Sequence, residues 1–208
     1  QFRSERLLSS KYGDRFIIRS FSPMNTIGGG TLIDPSPSKS RRVQQKLTVR
    51  LGRLMDGDEY VRSEEVIYMR SVRGVFYIEF QVRTGLSEKD NLKNLEILQK
   101  KGKILCIEPV SGRYLHIDHV KRIAEFISRV LKNHHQKFPQ REGMTHAELA
   151  GKLTFIFSEK EVENLLKFLC DSYLILQQGK YFYLEDHQAK ISQTRLDSLT
   201  NCLDIISK

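Results

Sequence analysis

The sequence predicts a mainly helical chain with small β-sheets, in which one helix-and-hairpin unit occurs twice behind a short all-β lead. Three observations predict it. From Ser40 onward, apolar residues recur at helical spacing in successive stretches. The order helix, turn, helix, hairpin occurs twice, at an offset of 71 residues. The front of the chain, Gly13–Pro35, instead holds two β-branched and aromatic runs separated by turn formers.

In that front stretch, Arg15–Phe21 and Thr26–Ile33 predict two antiparallel strands around Ser22-Pro23-Met24-Asn25. Gly28, Gly29 and Gly30 interrupt the second. They suit a close approach by another backbone, or else a β-bulge or a barrel corner. An isolated ribbon is marginal in water, so Phe16, Ile18, Ile27 and Leu32 require a partner surface. The chain starts at Gln1, and the expectation is that this stretch ends a domain begun earlier.

Pro35-Ser36-Pro37-Ser38 is an extended linker. Val43, Leu47, Leu51 and Leu54 then predict an amphipathic helix over Ser40–Met55, and Gly57-Asp58 breaks it. Glu59–Val72 is helical. Phe76–Gly85 alternates like a strand but also fits a helix ending at Gly85, and helix is chosen. Ser87 with Asp90 caps a helix whose Leu92, Leu95 and Leu98 point inward and which Gly102 stops. Lys103–Pro109 and Arg113–Ile117 form a two-stranded hairpin around Ser111-Gly112. This order is that of a winged helix.

The second copy follows a helix at Asp118–His134 and the capping pair Thr145 and Glu148. Ser87-Glu88-Lys89 recurs as Ser158-Glu159-Lys160, Leu95 and Leu98 as Leu166 and Leu169, and Ile104-Leu105 as Ile175-Leu176. A wing shorter by four residues brings Gly112 onto Gly179 and Tyr114 onto Tyr181. Gly102 becomes Tyr173, so the second helix is expected to end without a left-handed glycine. Leu196, Leu199, Leu203 and Ile206 mark a last amphipathic helix, read as the start of a third unit.

Gly13-Asp14-Arg15-Phe16-Ile17-Ile18-Arg19, Thr26-Ile27-Gly28-Gly29-Gly30 and Asp34-Pro35 resemble the closing strands of the third domain of elongation-factor-type translational GTPases. The Thr-Ile-Gly-Gly-Gly and Asp-Pro pair most resembles the bacterial selenocysteine-specific elongation factor. The segment from Pro139 through Gly143-Met144 to Glu148-Leu149 resembles that family's second winged helix. The resemblance implies tandem winged-helix domains preceded by the closing strands of a translation-factor β-barrel. It divides the chain into barrel tail and linker (1–38), first winged helix (39–119), second winged helix (120–185) and the first helix of a third (186–208). For the intact factor it implies GTP and magnesium as cofactors, with selenocysteinyl-tRNA, an mRNA hairpin beside a recoded UGA and the ribosome as partners.

Composition bounds the rest. With 39% hydrophobic and 28% charged residues, the chain can form ordinary globular cores, and no apolar run nears the ~20 residues of a membrane span. Cys106, Cys170 and Cys202 are scattered, which suits a reducing cytoplasm and buried small hydrophobes. The net charge of +9 is concentrated at the front. Residues 1–57 carry 11 basic and 4 acidic side chains, residues 58–119 carry 10 of each, and residues 120–208 carry 13 and 11.

Arg42, Lys46, Arg50 and Arg53 form a basic stripe on the first helix, with Arg41 beside it and no acid from Lys39 to Arg53. Such a stripe either tracks a phosphate backbone or is a solvated face. These five residues are the candidate nucleic-acid contacts, for weak, sequence-blind RNA binding. The second helices offer Glu88, Lys89, Asp90, Asn91, Lys93, Asn94 and Glu96, and Glu159, Lys160, Glu161, Glu163, Asn164 and Lys167. Neither set holds arginine, and carboxylates repel phosphate, so a spacer role suits both units.

The phosphate-cradling pattern GxxxxGK[ST] is absent, so no GTPase activity is expected of this chain. His116 and His119 lack a completing cysteine or carboxylate set, and His134-His135 cannot share a helix face, so all four are read as structural or solvated. The chain is expected to need no cofactor, to bind no membrane and to be a monomer. The rival readings are a tandem winged-helix DNA-binding regulator, which requires basic recognition helices, and a structural protein-interaction module.

Overall fold

The computed structural model describes residues 8–37 and 45–186. Arg41, Arg42, the first turn of the predicted Ser40–Met55 helix and the last amphipathic helix lie outside the described residues. The chain divides into two compact units, Gln1–Val120 and Lys121–Lys208.

In the first unit, strands β1 (Arg15–Arg19) and β2 (Thr26–Thr31) pair antiparallel, as their sequence predicts. The ladder slips between Ile18, opposite Gly28, and Arg19, opposite Thr26, leaving Ile27 unopposed in a bulge. The glycines make room for Phe16. A Cβ on Gly29 would meet the Phe16 carbonyl oxygen at 2.5 Å, and one on Gly30 would lie 3.2 Å from the Phe16 ring. Ile17 and Ile27 remain exposed on this ribbon.

Helix α1 (Gln45–Asp56) precedes α2 (Glu59–Met69), whose N-cap Asp58 accepts from the Val61 amide. The predicted helix to Val72 stops earlier, and Ser71–Arg73 tightens into a 3₁₀ turn. Strand β3 (Val75–Phe76) leads into α3 (Tyr77–Thr84), so the ambiguous stretch is helical from Tyr77. Helix α4 (Glu88–Lys100) begins where the Ser87 hydroxyl accepts from the Asp90 amide. Strands β4 (Ile104–Glu108) and β5 (Arg113–His116) form the wing. The sheet has three strands, in the order β3-β5-β4, rather than the two the sequence predicts. Two residues are too short a run to show the alternation that signals a strand.

Leu54, Val66, Ile67, Val75, Phe80, Leu95, Leu98 and Ile104 build this unit's core. Burying each such side chain contributes about 1.5–3 kcal/mol. Leu92, expected inward, is 51% exposed at the edge of the stripe.

The second unit repeats the design. Helix α5 (Ile117–Lys137) leads to β6 (Met144–Thr145), α6 (His146–Ala150), α7 (Glu159–Asp171), β7 (Leu176–Gln178) and β8 (Tyr181–Tyr183). Its sheet order, β6-β8-β7, matches that of the first unit. Thr145 with Glu148, and Ser158 with Glu161, form reciprocal capping boxes. Leu166 and Leu169 are buried like Leu95 and Leu98. As the sequence predicts, α7 ends without a left-handed glycine. Tyr173 keeps the left-handed conformation of Gly102, with φ of 55° against 64°, although it carries a side chain.

Candidate nucleic-acid interface

The basic stripe lies on α1, where Leu54 faces the core and Lys46 is exposed. Arg50 and Arg53 turn toward α2. Arg50 Nη1 donates to both Glu65 oxygens, at 2.7 and 3.0 Å, and Arg53 Nε reaches Oε1 at 3.0 Å. The Glu65 side chain has no exposed surface, while those of Arg50 and Arg53 are 28% and 45% exposed. The Arg50 guanidinium also stacks 3.6 Å from the centre of the Tyr68 ring. A buried carboxylate requires paired cations, and this one uses two. Two of the five candidate contacts therefore hold the fold, two lie outside the described residues, and Lys46 faces solvent. The signal for Glu65 was present in the sequence: it falls four residues from both Val61 and Met69, on the inward face of α2.

The second helices differ from their surface reading. Asn91 and Asn94 are buried. Asn91 Oδ1 accepts from the Thr84 hydroxyl at 2.7 Å, and its Nδ2 donates to the Leu86 carbonyl at 3.1 Å. Asn94 Nδ2 donates to Ser63 Oγ at 3.1 Å and to the Glu59 carbonyl at 3.3 Å. Glu161 is buried in its capping box. None of the three is available to read a base. Lys89, Lys93 and Lys100 remain exposed on α4 beside Glu88 and Glu96, and Lys160 and Lys167 on α7 beside Glu159, Glu163 and Asp171. Lys100 Nζ is 2.6 Å from Glu96, and that contact holds the Glu96 carboxyl below its ordinary range. These faces are of mixed charge.

Within the second unit a groove of about 550 Å³ runs between α6, α7 and the wing, floored by Leu166 and Phe182. Lys167 and Lys180 on its rim are balanced by Glu163 and Asp171, so it presents no cationic track.

Other chemistry is weak. Burial pushes the Cys106 and Cys170 thiols up, away from thiolate reactivity. His116 and His119 are buried. His116 Nε2 lies 3.4 Å from Glu64 Oε1, and His119 Nε2 lies 2.7 Å from the Tyr68 carbonyl oxygen. Among the described residues, no group of three or more His, Cys, Asp or Glu side chains could hold a metal ion.

Comparison with known proteins bears on this arrangement. Residues 129–184 match the family described as "Elongation factor SelB, winged helix". The chain is 28% identical over 193 residues to the selenocysteine-specific elongation factor of Desulfomicrobium baculatum, a match spanning 92% of this chain and 30% of that protein. A crystal structure of bacterial selenocysteine-specific elongation factor EF-Sec aligns over 95% of this chain and 28% of its own, with a TM-score of 0.52 and 19% identity, a likeness of fold. The mRNA-binding domain of SelB from E. coli, solved with SECIS RNA, aligns over 62% of this chain and 99% of its own, with a TM-score of 0.45 and 15% identity. The chain thus spans less than a third of the curated relative it matches. The chain is similar to the bacterial selenocysteine-specific elongation factors over most of its length, and residues 129–184 of its second unit match that family's winged helix.

Proposed function

We propose that the chain is the C-terminal arm of a selenocysteine-specific translation elongation factor. It spaces a body that holds GTP, magnesium and selenocysteinyl-tRNA from an end that grips an mRNA hairpin beside a UGA codon. The observation that carries this reading is the likeness to the Desulfomicrobium baculatum factor over 92% of the chain.

The geometry agrees with a spacer. Asn91, Asn94 and Glu161 face inward, and the outer faces of α4 and α7 mix lysines with carboxylates. A DNA-binding regulator needs a basic recognition helix, most often one that presents arginine to a groove, and neither helix carries an arginine. In this reading the arm works in the cytoplasm as a monomer, catalyses nothing itself, and touches RNA or the ribosome weakly through phosphate. The sequence lacks the loop that would cradle GTP.

The test uses the full-length factor and a reporter whose translation requires selenocysteine at UGA. Deleting residues 121–186 removes one winged unit and is expected to abolish readthrough while GTP hydrolysis persists. Reversing Lys89, Lys93, Lys160 and Lys167 to glutamate is expected to leave readthrough intact. Undiminished readthrough after the deletion would overturn the spacer role.

A further inference from the structure

Two separate contacts tie the hairpin to the helices of its own unit, one before β1 and one after β2. Before β1, Tyr12 donates its backbone N–H to the Val82 carbonyl at 3.1 Å and its hydroxyl to the Leu54 carbonyl at 3.3 Å. The Arg62 guanidinium covers the Tyr12 ring, 4.3 Å from its centre. Tyr12 thus touches α1, α2 and α3 together. Gly85 allows this approach. Its φ of 67° suits glycine, and a Cβ there would come within 2.9 Å of the Tyr12 carbonyl oxygen.

After β2, Arg83 donates through Nη1 to Asp34 and through Nη2 to the Ser36 carbonyl, while its Nε donates to Glu79 at 2.9 Å. The Arg83 and Asp34 side chains are only 5% and 9% exposed. Arg70 closes the network, with Nη2 3.1 Å from Glu79. A guanidinium is a planar, fixed fork, so partners on three of its nitrogens define direction as well as distance. A ribbon held at one end can swivel. Held at both ends, it cannot.

We propose that Arg83 is a latch that makes the hairpin and the first winged helix one rigid body, so that the chain does not bend between β2 and α3. For the arm, and resting on the function proposed above, an orientation set at the hairpin is then carried unchanged into the first winged unit.

Amide hydrogen exchange by NMR on the full chain tests this, because the Tyr12 N–H crosses the junction. The amides of Leu95 and Leu98, within α4, report the winged helix alone. In the unaltered chain the Tyr12 amide exchanges at least about 100-fold more slowly than an unprotected one. Arg83→Met and the milder Asp34→Asn each speed it about 10- to 100-fold, the range for losing a charged hydrogen bond, and leave Leu95 and Leu98 unchanged. The double variant resembles Arg83→Met alone, since Asp34→Asn weakens only one of the contacts that Arg83→Met removes. Three results would each overturn the latch: an unprotected Tyr12 amide in the unaltered chain, no effect of either variant, or equal speeding at Leu95 and Leu98. Reporter readthrough does not enter this readout, so the latch and the spacer role fail separately.

Discussion

Arg50 Nη1 lies 2.7 Å from Glu65 Oε1, and the carboxylate it meets is fully enclosed between α1 and α2. Arg53 shares the same oxygen at 3.0 Å. Either arginine alone still pairs the charge, so each single alanine substitution is expected to cost about 1–2 kcal/mol, within the usual range for one lost contact. Removing both strands a buried carboxylate and is expected to cost about 3–5 kcal/mol, more than the sum of the singles. Urea denaturation of the three variants measures this. Strict additivity would contradict a shared carboxylate.

Gly102 and Tyr173 are equivalent positions with the same left-handed backbone, and only one is glycine. A Cβ on Gly102 meets nothing within 4 Å, so substitution there costs backbone strain alone. Gly102→Tyr is expected to destabilise by about 1–2 kcal/mol, and Tyr173→Gly to stabilise by up to about 1 kcal/mol. Thermal melts of both variants decide whether the two helix ends obey one rule.

Leu95 and Leu166 occupy matching core sites and are 2% and 1% exposed. Each truncation to alanine is expected to cost roughly 2–5 kcal/mol in chemical denaturation, the range for emptying a buried leucine site. Negligible loss at both would contradict the repeat.

The capping box of α6 has a pH signature. The Thr145 backbone N–H donates to Glu148 at 2.7 Å, and that bond is the main reason the carboxyl titrates below its ordinary value. The Thr145 hydroxyl, His134 and Arg141 add to it. The folded pKa lies below the unfolded one, so this stabilisation is complete above the unfolded value of about 4.3 and fades as pH falls through the folded value. A carboxyl carbon titration should place Glu148 below the ordinary value of an unpaired glutamate. Glu148→Gln, which can still cap, should lose the acid sensitivity. A midpoint at or above the ordinary value would contradict the box.

Local chemistry was legible in the sequence. Ser87, Thr145 and Ser158 cap helices because a hydroxyl three residues before an amide satisfies it whatever the surroundings. The repeated leucines found the cores for the same reason. Asn91 and Asn94 were misplaced on the surface because their partners, Thr84 and Ser63, lie 7 and 31 residues away. Aligning the repeats carries the missing signal. At the equivalent positions the second unit has Val162 and Leu165, both fully buried. The pairing of Arg50 and Arg53 needed a second helix that spacing along one helix cannot supply. So did the two-residue strands β3 and β6, which exist only beside β5 and β8.

The spacer role is tested most directly by competition binding at one salt concentration, using the mRNA hairpin of a selenoprotein message and an unrelated RNA hairpin of equal length. With Arg50 and Arg53 held by Glu65, Lys46, Arg41 and Arg42 remain as candidate phosphate contacts. Three contacts give a log–log salt slope of about −2 to −3. A spacer is expected to bind weakly, with that slope and with equal affinity for the two RNAs. Selection of the selenoprotein hairpin by tenfold or more (~1.4 kcal/mol) would contradict it and place a base-reading surface on a winged unit described here as a spacer.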